Sequence, residues 1–112
     1  MSENEIDFNL VLQYQNIFGK PKYLMLWEDF CQQTDNLFAT LSYNNREDLR
    51  LKFHSLRSSA KVFGLIIISY HAEIIENLII NDENIEKIKK TVDICEKIFH
   101  NAQKELNRFF EC

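Results

Sequence analysis

Glycine and proline are scarce in this chain: two Gly and one Pro in 112 residues. So few turn formers argue against a sandwich or a small barrel, which must reverse direction many times. Cysteine is scarce as well. Cys31, Cys95 and Cys112 make an odd number with no CxxC pair, so neither a disulfide framework nor a zinc knuckle is suggested. Long apolar runs are missing. Runs such as Leu65 to Ile68 are far short of the roughly 20 residues that span a bilayer. The polar, acidic start Met1-Ser2-Glu3-Asn4-Glu5 lacks the basic and apolar regions of a signal peptide. An excess of positive charge is missing too: 13 basic residues face 17 acidic ones, net −4, a poor balance for gripping a phosphate backbone. The expectation is a soluble domain in the reducing cytoplasm, with neither nucleic acid nor membrane as a partner.

What is present is material for a core. With 46% hydrophobic residues, nine Phe, four Tyr and one Trp, the chain is too apolar for a disordered tail. Its length suits one domain, residues 1–112, burying about two-thirds of its extended surface on folding.

Helical spacing recurs throughout. Ile6, Leu10, Tyr14 and Ile17 predict a helix to Phe18, with Asp7 as a cap and Gly19 as its end. A second helix is expected from Pro21 to about Ser42, because Tyr23, Trp27, Phe30, Thr34, Leu37 and Leu41 alternate spacings of three and four. Asn44-Asn45 then caps a third, from Arg46 to Phe63, whose apolar face is Leu49, Phe53, Leu56, Ala60 and Phe63. Leu65 to Ile80 is rich in β-branched residues, but a lone strand would leave its backbone unpaired. Ile68, Ala72, Ile75 and Ile79 fit a helix instead. Asn81-Asp82 should supply a turn and a cap. In the last segment Ile85, Ile88, Val92, Cys95, Phe99, Ala102, Leu106 and Phe109 follow the pattern without a miss. The expected class is all-α: an antiparallel four-helix bundle with an additional short N-terminal helix. Cys31 and Cys95 fall on apolar stripes and should pack as small hydrophobes.

The chemistry is concentrated in His54-Ser55-Leu56-Arg57-Ser58-Ser59-Ala60-Lys61-Val62-Phe63-Gly64. If Phe53 and Leu56 point inward, His54 is turned about 100° from Phe53, towards solvent. Arg50, Arg57, Ser58 and Lys61 share its face: three cations and one small residue. Such a stripe suits an imidazole that accepts an anionic group, and nearby cations disfavour the imidazolium.

This run resembles the signature of histidine-containing phosphotransfer (HPt) domains, His-x-Leu-Lys-Gly-Ser-Ala followed by a Gly four residues on. It matches at His54, Leu56, Ser59, Ala60 and Gly64, has Arg57 for Lys, and departs at Ser58 for Gly. Gly19-Lys20-Pro21 before an aromatic-rich helix, the helix ending Ala72-Glu73-Ile74-Ile75-Glu76, and the long final helix extend the resemblance over nearly the whole chain. It implies a monomeric phosphocarrier without kinase activity of its own. Such a protein takes a phosphoryl group from a receiver-domain aspartate, as in a hybrid sensor histidine kinase, and passes it to a response-regulator receiver. By the same resemblance His54 is the phosphorylated residue, Arg57 steadies the phosphoryl group, Ser58 leaves clearance and Gly64 turns the chain between two helices. Arg50 and Lys61 are candidate partner-binding residues. No cofactor is implied on this chain, since Mg²⁺ is expected on the receiver.

Other readings are weaker. The residues three before His54, His71 and His100 are Leu51, Ile68 and Lys97, so no Glu-x-x-His di-iron motif exists and no metal site is expected. Glu96 and His100 supply two ligands on one helix, which is not a site. There is no Gly-rich phosphate loop, and Ser58 and Ser59 lack an oxyanion element. His71 is expected to be packed and hydrogen-bonded, and His100 has no supporting motif. The alternative to a phosphocarrier is a helical-bundle adaptor that only binds signalling partners.

Overall fold

The computed structural model describes residues 6–111. The polar start and Cys112, on which two of the readings above fall, lie outside the described residues. All regular structure among the described residues is helical: α1 Phe8–Phe18, α2 Lys20–Ala39, α3 Arg46–Val62, α4 Ile66–Ile80 and α5 Ile85–Glu111.

Local chemistry sets most of the ends. Asp7 accepts from the amides of Asn9 and Leu10 at the start of α1, and Asn45 accepts from Asp48 N at the start of α3, so each satisfies orphan donors. Gly19, at φ 84°, separates α1 from α2. Four expectations need adjustment. The second helix ends at Ala39 with Thr40 as its cap, so Leu41 and Ser42 lie beyond it. The third and fourth stop short of Phe63 and Leu65, because both residues are drawn into the turn at Gly64. The cap of α5 is not Asn81-Asp82 but Asn84, whose side chain accepts from Lys87 N at 2.9 Å. On α1, Val11 is buried and Ile17 is 64% exposed. The inward face is rotated from the one that spacing suggested, since only tertiary contact fixes which side of a short helix is covered.

The core is largely aromatic. Trp27, Phe30 and Phe63 meet with ring centroids 5.0–5.9 Å apart, and Phe30 and Phe38 both reach Phe99 of α5 at 6.1 Å. Large rings therefore bridge α2 to α5, and Trp27 Nε1 adds a 2.7 Å hydrogen bond to Asn107 Oδ1. Tyr23 donates its hydroxyl to Val62 O at the end of α3, and burial pushes its phenol above the usual range. Cys31 and Cys95 are buried free thiols, as expected, and burial pushes both up to about 12. No helix among the described residues is long and apolar enough to cross a membrane.

Two features place α3 against α4. Arg57 O accepts from Ser69 Oγ at 2.7 Å, and Arg46 Nη2 donates to Glu83 O at 3.2 Å. One pair is near the turn and the other is far from it, so the helices run antiparallel. At the turn, Gly64 has φ 69°. Its carbonyl accepts from Asp7 N at 2.8 Å, and a Cβ on Gly64 would collide with the backbone oxygen of Asp7 and press on Val11. Glycine is required here for both conformation and close approach. Gly64→Ala should therefore destabilise the protein by at least about 1 kcal/mol and loosen α1. A urea titration read by circular dichroism checks this, and an unchanged midpoint would refute it.

Candidate functional site

The inward side of α3 is Leu49, Phe53, Leu56 and Ala60, all buried. His54 lies outside that stripe, and its side chain is 49% accessible. Antiparallel packing sets Glu76 of α4 opposite it. Glu76 sits beside the apolar stripe Ala72, Ile75 and Ile79, and its side chain is only 7% accessible. A charge so enclosed must be compensated locally, because an unpaired buried ion is costly.

Three side chains from α3 provide the compensation. Glu76 Oε2 lies 2.9 Å from His54 Nδ1 and accepts from Arg50 Nη1 at 3.3 Å. Glu76 Oε1 lies 3.3 Å from Arg57 Nη1, close enough for an ion pair but not aligned as a hydrogen bond. One carboxylate thus gathers the histidine and the arginines one turn before and one turn after it. Arg50 is also held by Glu47, through Nε to Oε2 at 3.0 Å and Nη2 to Oε1 at 2.6 Å. That hydrogen bonding keeps Glu47 below the usual carboxylate range.

The sequence reading placed Arg50, Arg57, Ser58 and Lys61 around His54 as an outward basic stripe. Arg50 and Arg57 instead turn aside to Glu76, and Arg50 is committed between two carboxylates. Ser58 and Lys61 are exposed and stand outside the cluster. The surroundings of the ring are therefore not purely cationic, because a carboxylate in direct contact offsets the two guanidinium groups. Glu76 was missed as a site residue. Its signal was a charge beside a buried stripe, four residues after Ala72 and next to Ile75, where a solvated glutamate is out of place.

This geometry assigns the proton. At neutral pH a carboxylate only accepts, so Nδ1 donates, and in the neutral ring Nε2 keeps its lone pair. An exposed imidazole with one nitrogen tethered to a buried group and the other free can act as a nucleophile in a fixed orientation. His71 behaves as expected, with Nδ1 donating to Ile67 O at 3.0 Å. His100 stands between Glu96 and Asp35, at 3.6 and 3.9 Å. No group of three or more His, Cys, Asp or Glu among the described residues is arranged to hold a metal ion.

Comparison with family models, with curated proteins and with solved structures yields no match to this chain.

The ring tautomer is directly measurable. Nitrogen NMR of the neutral His54 ring should report the Nδ1–H form. Glu76→Gln should retain it, because the amide oxygen still accepts. Glu76→Leu, which continues the apolar stripe, should release the ring to the Nε2–H form. Nε2–H in the unaltered protein would contradict the assignment.

Proposed function

We propose that this protein is a phosphorelay intermediate: His54 accepts a phosphoryl group from a receiver-domain aspartate and passes it to the aspartate of a second receiver. One observation carries the reading. An exposed histidine, within the HPt-like run, has Nδ1 held by the buried Glu76 and sits between Arg50 and Arg57. On this reading α2 to α5 make an antiparallel four-helix bundle, with α1 against one end, in one domain of residues 1–112. Facing pairs Trp27–Asn107, Phe38–Phe53 and Arg57–Ser69 support that arrangement. A monomeric cytoplasmic carrier suits the role.

The chemistry balances without a cofactor on this chain. The Nε2 lone pair attacks phosphorus as the P–O bond to the donor aspartate breaks, and the aspartate leaves as a carboxylate. The product is an Nε2-phosphoryl imidazolium, whose Nδ1–H remains hydrogen-bonded to Glu76. Arg57, one turn away, can move from Glu76 to the phosphoryl oxygens. Ser58 keeps the approach clear. The reverse exchange with a second carboxylate regenerates the free ring. Positioning and charge neutralisation are what phosphoryl transfer requires, and Mg²⁺ is expected on the receiver.

Docking is proposed on the exposed flank of α3 and the neighbouring face of α2. A groove of about 320 Å³ lies there, lined in part by Leu26, Phe30, Ser59 and Val62. Leu51, 49% exposed, and Lys61 flank His54 on the same helix.

Incubation with a phosphorylated receiver should leave acid-labile, base-stable label on this protein. His54→Gln should remove the label while keeping the fold, at a cost on the order of 1 kcal/mol, because the amide N–H can donate to Glu76 in place of Nδ1. Absence of label on the unaltered protein would leave the adaptor reading, and label on folded His54→Gln would move the site to another histidine.

Arg57 and Lys61 should separate by rate. Arg57→Ala should slow transfer within the complex roughly fivefold, equivalent to about 1 kcal/mol. Lys61→Glu should slow association and reduce its salt dependence, because rim charges act on encounter. Transfer kinetics at two ionic strengths distinguish them, and equal rates for all three proteins would leave Arg57 only its ion pair with Glu76 and make Lys61 an ordinary solvated residue.

A further inference from the structure

The two arginines beside His54 are held very differently. Arg50 uses all three of its guanidinium nitrogens: Nε and Nη2 donate to Glu47 at 3.0 and 2.6 Å, and Nη1 donates to Glu76 Oε2 at 3.3 Å. Arg57 has one anchor, the 3.3 Å approach of Nη1 to Glu76 Oε1. Its side chain makes no hydrogen bond among the described residues, and Oε1, although enclosed, accepts none. The backbone of Arg57 is fixed, because its carbonyl accepts from Ser69 Oγ at 2.7 Å. A swing of Arg57 is therefore a change of side-chain rotamer that leaves the packing of α3 on α4 in place.

Charge makes the difference consequential. At rest Glu76 faces two guanidinium groups and a neutral ring. Phosphorylation at Nε2 keeps Nδ1–H on Glu76 and makes the ring positive, 2.9 Å from Oε2. It also sets a strongly anionic group one helical turn from Arg57. If both arginines stayed, the enclosed carboxylate would face three cations and the phosphoryl oxygens would have none from this cluster. Release of Arg57 returns Glu76 to two cations and gives the phosphoryl group one. Arg50 is the wrong residue to release, since its departure would break its hydrogen bonds to both carboxylates.

We propose that phosphorylation of His54 exchanges one cation at Glu76: Arg57 leaves for the phosphoryl group, the imidazolium takes its place, and Arg50 stays as the residue that positions the ring through Glu76. The inference rests on the phosphorelay reading only in taking His54 as the phosphorylated residue, and it moves Arg50 from the docking surface to the support of the ring. The buried carboxylate keeps its charge balance in both states, so the register of α3 against α4 holds with and without the group.

The test uses the nitrogen-labelled full chain and phosphoramidate, a donor that needs no receiver. Nε2 attacks phosphorus, the P–N bond breaks and ammonia leaves. NMR of the guanidinium Nε–H groups is recorded before and after. The Arg57 signal should shift, and the Arg50 signal, bonded to Glu47, should stay. In Arg50→Gln, Glu76 has a single arginine left, so Arg57 should be retained there and its shift on phosphorylation should shrink. The same variant should be phosphorylated roughly fivefold more slowly by phosphoramidate, whatever the ionic strength. Arg50→Lys, which keeps a charge near Glu76, should restore the shift. An Arg57 signal unmoved in the phosphorylated unaltered chain would overturn the exchange, and that measurement needs no variant to fold. Slowing of Arg50→Gln only with a receiver as donor, and only at low salt, would return Arg50 to docking and overturn its positioning role. Phosphorylation by phosphoramidate but never by a receiver would sink the relay and leave the exchange standing, whereas failure of His54 to accept from either donor would overturn both.

Discussion

A carboxylate almost closed off from water has to be answered by its neighbours, and Glu76 is answered entirely from one helix. His54, Arg50 and Arg57 reach it from successive turns of α3, so the register of α3 against α4 and the pose of the histidine are one constraint. Sliding either helix by a turn would strand the charge. The pairing is therefore structural first. It locks two helices, and in doing so it decides which ring nitrogen is tethered and which is left available.

The rest of the molecule keeps that register. Gly64 allows α3 to turn into α4 beneath the start of α1, where backbone atoms come too close for any side chain. Ser69 lets α4 approach the backbone of α3. Behind them, Trp27, Phe30, Phe63 and Phe99 fill the space between α2, the end of α3 and α5. Rings of this size bury much area in few rotamers, giving α3 a stiff backing. A stiff backing suits a nucleophile whose proposed work is to be met by a partner already carrying the reacting group.

α4 is shared between two surfaces. One flank supplies Glu76 to the histidine, and the other supplies Ile67 and His71 to a groove beside α5. α5 carries both signs of charge on one face, where Glu86 and Asp93 lie within a turn of Lys90 and Lys97, while Glu96 approaches His100. On the proposed reading, the face of α3 that carries His54 exchanges a phosphoryl group.

Periodicity alone was enough to reveal five helices, the all-α class and nearly every buried position of α3, α4 and α5, because apolar residues at spacings of three and four leave little choice of inward face on a long helix. The short α1 was read with its face rotated, and the ends near Ser42, Phe63 and Asn81 were displaced. Those features depend on which neighbour covers a turn and on which side chain reaches an orphan amide. In the site, His54 and its flanking arginines were visible as a pattern on one helix. Their common partner was not. Glu76 lies 22 residues from His54, and no spacing rule relates positions on different helices. Sequence determined which residues could share a face of α3, and only the packing of α4 decided that two arginines turn inward, that Nδ1 is tethered and that Lys61 remains in solvent.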